Sequence, residues 1–187
     1  MQERERWGLV SEELADYRIF RVLRKRGISP RTARAVEFHS LELSDWVQII
    51  PCTRAGEFIM VEQFRPGAEI PSLEFPAGLI DDGELPLQAG LRELEEETGY
   101  RAHEAWPIGH VYVNPAIQSN RLHIVHARDC QPDGLVQQDE GEDVRVRLVA
   151  ESELLRLMEE GTIHHALVLT AWKRYELWRV QREASRT

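Results

Sequence analysis

Residues 78–100 read GLIDDGELPLQAGLRELEEETGY, and the period within this stretch decides the fold. Leu87, Leu91 and Leu94 recur at steps of four and three, which predicts an amphipathic helix beginning near Leu85. Pro86 suits the first turn, Gly99 suits the C-terminal stop, and Gly90 lets a neighbouring element approach closely. Glu93 and Glu97 lie four apart and therefore stack on one face, a turn from each other. Two carboxylates at that spacing repel unless positive charge lies between them. Hard divalent cations such as Mg²⁺ take oxygen ligands and commonly bridge protein carboxylates and phosphates. Glu96 stands ready to serve a second ion, and the loop before the helix offers the backbone oxygen of Ala77. Arg92 can hold Glu84 back against that loop as an orienting ion pair. The plain alternative for such a charge run is a solvated acidic face. That alternative requires neither the glycine-rich loop, nor the lone arginine, nor the terminal glycine.

Working outward, residues 17–25 (YRIFRVLRK) alternate apolar and polar, as a half-buried strand does. Gly27 and Pro30 mark a turn and residues 33–39 alternate again, so a hairpin is predicted. A second strand pair, 46–52 and 58–64, flanks the turn Arg54-Ala55-Gly56-Glu57. Pro66, Gly67 and Pro71 predict a loop, followed by a short strand at Leu73-Glu74-Phe75. Beyond the helix, strands are expected at 108–113, 122–127 and 144–149. A short helix over 151–159 closes at Gly161, and a longer one over 163–182 carries Val168, Ala171, Tyr175 and Trp178 on one stripe. The class is α/β, with mostly short strand connections.

The chain has 187 residues and a formal net charge of −9, which argues against broad nucleic-acid or anionic-membrane binding. No apolar run approaches the roughly 20 residues that cross a bilayer. The charged start Met1-Gln2-Glu3-Arg4-Glu5-Arg6 has no apolar core behind it, so no secretory signal is expected. Cys52 and Cys130 read as reduced thiols of a cytoplasmic protein. His123 and His126 form an H-x-x-H pair, but on a strand they point to opposite faces and make no zinc site. His164 and His165 are expected to cap or pack at a helix start, and Cys130 has no nearby base.

Gly78-x5-Glu84-x7-Arg92-Glu93-Leu94-x-Glu96-Glu97-x-Gly99-Tyr100 resembles the Nudix box at every defined position. In that family the box is a loop–helix–loop that binds Mg²⁺ or Mn²⁺ and hydrolyses a nucleoside diphosphate linked to another group. The resemblance implies a Nudix fold, a mixed β-sheet sandwiched between helices, with an N-terminal antiparallel β-hairpin extension. Residues 1–42 are then a hairpin serving dimerisation, and 43–187 the Nudix hydrolase domain. Val61-Glu62-Gln63-Phe64-Arg65-Pro66 and Leu73-Glu74-Phe75-Pro76-Ala77-Gly78 are similar to segments of the ADP-ribose and nucleoside diphosphate sugar pyrophosphatases. Pro115, fifteen positions after Tyr100, matches a marker proline of the ADP-ribose group. Residues 139–143, Asp-Glu-Gly-Glu-Asp, resemble the acidic loop that supplies the general base in those enzymes, which points to Glu140. Phe64 replaces the usual Tyr, and Gly90 the commoner Ala. Phe20 is the candidate aromatic for gripping the base.

The resemblance implies metal-dependent hydrolysis of a nucleoside diphosphate sugar to a nucleoside monophosphate and a sugar phosphate. Glu93, Glu96, Glu97 and Ala77 are the expected metal ligands, and Gly78, Glu84 and Gly99 shape the box. Arg92 and Glu96 assist catalysis, with Glu140 or a box glutamate as base. Glu62, Arg65, Phe20 and Pro115 are the expected substrate contacts, with Arg65 well placed to grip a diphosphate bidentately. A non-catalytic sugar-nucleotide sensor would erode the box glutamates, yet every one is present. A Nudix enzyme for oxidised nucleoside triphosphates or dinucleoside polyphosphates would not need the Glu62–Pro66 segment or Pro115. A homodimer is expected through the hairpin, because two isolated strands are marginal in water.

Overall fold

The computed structural model describes residues 7–137 and 143–184. The chain divides into two compact units, Met1–Ser44 with Tyr112–Arg121, and Asp45–Val111 with Leu122–Thr187.

The first unit is a three-stranded antiparallel sheet of β1 (Val10–Asp16), β2 (Arg21–Ile28) and β3 (Ala35–Glu42), in the order β1-β2-β3. It therefore has one strand more than the hairpin expected, and its middle strand begins four residues later. Residues 17–20, read as the start of that strand, form a turn instead. The Asp16 carboxylate accepts the Arg18 N–H at 2.7 Å, and Arg18 adopts a left-handed φ of 69°. The Tyr17 N–H then reaches the Phe20 carbonyl at 3.0 Å. An Asx turn of this kind carries no Gly or Pro signal in the sequence. Cross-strand ion pairs such as Arg26–Glu37, at 3.0 Å, decorate the solvated face. The loop Tyr112–Arg121 joins this unit through the Leu41–Gln118 bridge.

The second unit is built on a mixed sheet ordered β10-β5-β4-β9-β8, with β6 on β5 and β7 on β4. Its strands are β4 (Trp46–Thr53), β5 (Glu57–Arg65), β6 (Ile70–Glu74), β7 (Ala77–Leu79), β8 (Glu104–Tyr112), β9 (Arg121–Cys130) and β10 (Arg145–Ala150). Pro71, expected in a loop, lies in β6, which pairs only with β5. On such an edge the missing N–H leaves no ladder partner unsatisfied. The β4–β9 pair is parallel and buried at its centre, where Ile49, Ile50, Ile124 and Val125 are sealed from solvent alongside the buried polar Gln48 and His126.

One sheet face carries α1 (Pro86–Thr98), whose Ala89 and Leu94 pack with Val47, Ile49, Ile59 and Val125. Gly90 sits where helix and sheet come closest. A Cβ there would lie 3.3 Å from both Val47 Cγ2 and Val125 Cγ2, so the helix lies low on the sheet because its contact residue has no side chain. Pro86 begins the helix, and Gly99 ends it at φ 70°, its N–H bonding the Glu95 carbonyl at 2.7 Å. α2 (Glu151–Glu159) follows β10. Trp172 and Tyr175 of α3 (Ala166–Ala184) set their rings edge-on to Phe58, at 5.2 and 5.8 Å.

Candidate active site

A cleft of about 800 Å³ opens in the second unit between the loop before α1, the start of β4 and the start of α3. Its acidic end is lined by Gly78, Asp81, Arg92, Glu93 and Glu96. Arg65, Glu74 and His165 also line it, and Trp46, Val47, Leu122 and Leu167 supply apolar wall.

The acidic end is organised by one arginine. Arg92 forks onto Glu84, Nε to Oε1 at 3.0 Å and Nη2 to Oε2 at 2.9 Å. Its Nη1 donates to Glu93 at 2.8 Å and to Glu96 at 3.0 Å, and Nη2 also reaches the Leu79 carbonyl at 3.0 Å. The hydrogen bonds to Glu84, and then those to Glu93 and Glu96, hold the guanidinium firmly in its charged form. Reciprocally, Arg92 draws the Glu84 carboxyl below the usual carboxylate range.

Glu93 and Glu97 are buried, at 9% and 3% exposure, on the sheet-facing side of α1. Glu97 accepts the Ala77 N–H at 3.2 Å, which ties the helix to β7. Glu93 rests against Gly78 so closely that a Cβ there would fall among its carboxylate atoms. Gly78 is thus a cradle for Glu93, and the requirement is one of space.

Glu84, Glu93, Glu96 and Glu97 bring four carboxylates to a place where Arg92 is the cation bonded to three of them. A hard-oxygen donor set with excess negative charge and a glycine cradle fits a divalent cation. Among the described residues, no three acidic, His or Cys side chains already stand as a closed coordination shell. The physical reason is visible: Arg92 spans Glu93 and Glu96, while Glu97 is turned onto the Ala77 N–H.

In the same cleft, Arg65 makes a two-pronged ion pair with Glu74, Nε to Oε1 and Nη2 to Oε2 at 2.8 Å each. Glu74 is 1% exposed. Burial pushes its carboxyl up, but the Arg65 hydrogen bonds and charge, helped by His165, leave it below the usual range. Gln48 lies buried in the same wall, donating to the Phe75 carbonyl at 3.4 Å, while its Oε1 finds no partner among the described atoms.

Among the expected substrate contacts, Arg65 lines the cleft, whereas Glu62 faces solvent from β5 and is absent from the lining. Phe20 and Pro115 belong to the first unit, where the Phe20 ring lies 5.1 Å from that of Tyr17. Glu140 lies outside the described residues. Gln137, the last described residue before that segment, lines the cleft, and its N–H bonds the Glu96 carbonyl at 2.9 Å. Glu74 and His165 were not singled out as site residues from sequence. Glu74 has a signal, a lone acid in a short apolar strand. His165 has none beyond its place at a helix start.

The NUDIX domain family model matches residues 45–171. An ADP-ribose pyrophosphatase of Bacillus subtilis (strain 168) is 36% identical over 121 residues, covering 64% of this chain and 65% of that protein. An ADP-sugar pyrophosphatase of Mus musculus is 49% identical over 67 residues, 36% of this chain and 31% of that protein. The chain thus spans less than two thirds of the length of these relatives. The crystal structure of an ADP compounds hydrolase superposes with a TM-score of 0.84 at 23% identity, covering 97% of this chain and 98% of that one, which speaks for the fold. Among the described residues no helix is long and apolar enough to cross a membrane.

Proposed function

The chain belongs to the Nudix family, and we propose that it is a metal-dependent pyrophosphohydrolase. It hydrolyses the diphosphate of ADP-ribose or a related nucleoside diphosphate sugar to a nucleoside monophosphate and a sugar phosphate. The observation that carries this reading is the cleft itself. A carboxylate cluster around Arg92 and a carboxylate-locked Arg65 line one cleft large enough for a sugar nucleotide. The relatives named for ADP-ribose and ADP-sugar pyrophosphatase activity support the substrate class.

A divalent cation, Mg²⁺ or Mn²⁺, held by Glu93, Glu96, Glu97 and the Ala77 carbonyl would supply Lewis acidity toward the diphosphate. Arg92 keeps Glu84, Glu93 and Glu96 in place through the hydrogen bonds described above. Arg65, fixed by Glu74, orients the diphosphate. Glu140 takes the proton of the attacking water, a role supported by its place three residues after the cleft-lining Gln137. No covalent enzyme intermediate is required.

We place the protein in the cytoplasm, in keeping with its two free cysteines, and acting without nucleic acid or membrane. Residues 1–42 serve as the dimerisation element of a homodimer, and 43–187 as the hydrolase domain. The first unit leaves Val10 and Ile19 about three-quarters exposed and Tyr17 and Ile28 well exposed. A symmetric partner would cover that apolar surface. A panel containing ADP-ribose, other nucleoside diphosphate sugars, an oxidised nucleoside triphosphate and a dinucleoside polyphosphate tests the reading. The highest kcat/KM should fall on a nucleoside diphosphate sugar; a clear preference for either of the last two compounds refutes the assignment.

A further inference from the structure

We propose that His165 is a specificity-determining residue, donating a hydrogen bond from Nε2 to a diphosphate oxygen of the substrate; this rests on the function proposed above. His165 opens α3, and its backbone carbonyl accepts the N–H groups of Val168 and Leu169 at 3.1 and 3.2 Å. Its side chain caps the same turn, with Nδ1 accepting the Leu167 N–H at 3.1 Å. A ring nitrogen that accepts a backbone N–H carries no proton of its own, so the neutral imidazole holds its proton on Nε2. The cap therefore fixes both the tautomer and the direction of the ring.

The half-buried ring lines the cleft together with Arg65 and Glu74, near enough to the Glu74 carboxylate to interact with it. Arg65 is locked by two 2.8 Å bonds to a carboxylate sealed from water, and His165 is locked by its cap. Two pre-oriented donors in one cleft recognise an anionic group at little entropic cost. The carboxylates around Arg92 repel a bare anion, whereas Arg65 and His165 offer N–H donors in the same cleft. Leu167, two residues on in the same helix start, adds apolar lining, and a drier wall strengthens a hydrogen bond to a charged oxygen.

The test must separate capping from substrate contact. In His165→Asn the side-chain oxygen can still cap the helix, since Asn is among the best N-cap residues, but the Nε2 donor is gone. We expect the melting temperature to hold, kcat for ADP-ribose to stay within about two-fold, and KM to rise about ten-fold, the loss of one hydrogen bond to a charged group. Binding of the uncleavable α,β-methylene analogue of ADP-ribose, followed by calorimetry, should weaken by the same factor. In His165→Ala the binding loss should match while the melting temperature also falls, because the cap is lost. Wild-type KM and analogue affinity in His165→Asn would overturn the inference and leave the function intact. A wild-type protein that neither binds the analogue nor hydrolyses any nucleoside diphosphate sugar would overturn both.

Discussion

Replacing Gly78 by alanine should disable the site while sparing the fold. Gly78 does not adopt a left-handed backbone, so alanine meets no conformational penalty there, only a steric one. The added Cβ would meet Oε1, Cδ and Oε2 of Glu93, with even the most distant of the three only 2.5 Å away. Carbon–heavy-atom contacts settle near about 3.5 Å, so the carboxylate must retreat by about 1 Å or more. Glu93 is 9% exposed and bonded to Arg92 at 2.8 Å; a retreat of that size breaks this bond and moves a proposed ligand. Misplacement by about 1 Å can cost about 100-fold in rate, while overpacking costs roughly 1–3 kcal/mol of stability. The expected result is a kcat about 100-fold lower on ADP-ribose with a cooperative unfolding transition retained. Gly67→Ala serves as the control, since nothing lies within 4 Å of its added Cβ. A Gly78→Ala protein with wild-type kcat would refute the claim that Glu93 must lie against Gly78.

Glu97→Gln should lower kcat by orders of magnitude while the fold survives, because the amide oxygen can still accept the Ala77 N–H; EDTA should abolish wild-type activity, and Mg²⁺ or Mn²⁺ restore it. Glu140→Gln should lower kcat and alter the acidic limb of the pH–rate profile, whereas unchanged kinetics would hand the base role to a box glutamate. Burial pulls the His126 imidazole down to about 4, below its ordinary 6.5. The folded state therefore favours the neutral ring, so its stability is full above pH 6.5 and is lost as pH falls toward 4. Denaturant titrations should show about 2 kcal/mol lost between pH 7 and pH 5 in wild type, and a pH-independent stability over that interval in His126→Phe would assign the loss to this ring. Deleting residues 1–40 should abolish the dimer, as read by light scattering; a truncated protein that still forms the dimer refutes the hairpin's role in it.

What could be read from the sequence was what short-range periodicity encodes. The helix from Pro86 to Gly99 announced itself by leucine spacing, a proline and a terminal glycine, and Gly90 by its break in a good helix-forming run. The strands around Gly56 followed from alternation and a turn glycine. What stayed hidden depends on contacts distant in sequence. The turn at Asp16–Phe20 is made by a side chain bonding the backbone, inside a stretch that holds no Gly or Pro to mark it. The tie between Glu97 and the Ala77 N–H joins residues twenty apart, and only the folded chain brings His165, the residue before α3, into the cleft of the Arg65–Glu74 pair. Arg65 was legible as a phosphate-gripping arginine; that a sealed carboxylate fixes its orientation was not, since Glu74 reads in sequence as one acid in a short strand.

The most direct measurement of the central claim is hydrolysis of ADP-ribose in water enriched in heavy oxygen, with Mg²⁺ present and the products resolved by mass spectrometry. Attack of water on one phosphorus of the diphosphate predicts equal amounts of AMP and ribose 5-phosphate, with a single heavy oxygen in the phosphate of one product and none in the other. Intact ADP-ribose after prolonged incubation, or cleavage that puts no label into either phosphate, would contradict the account.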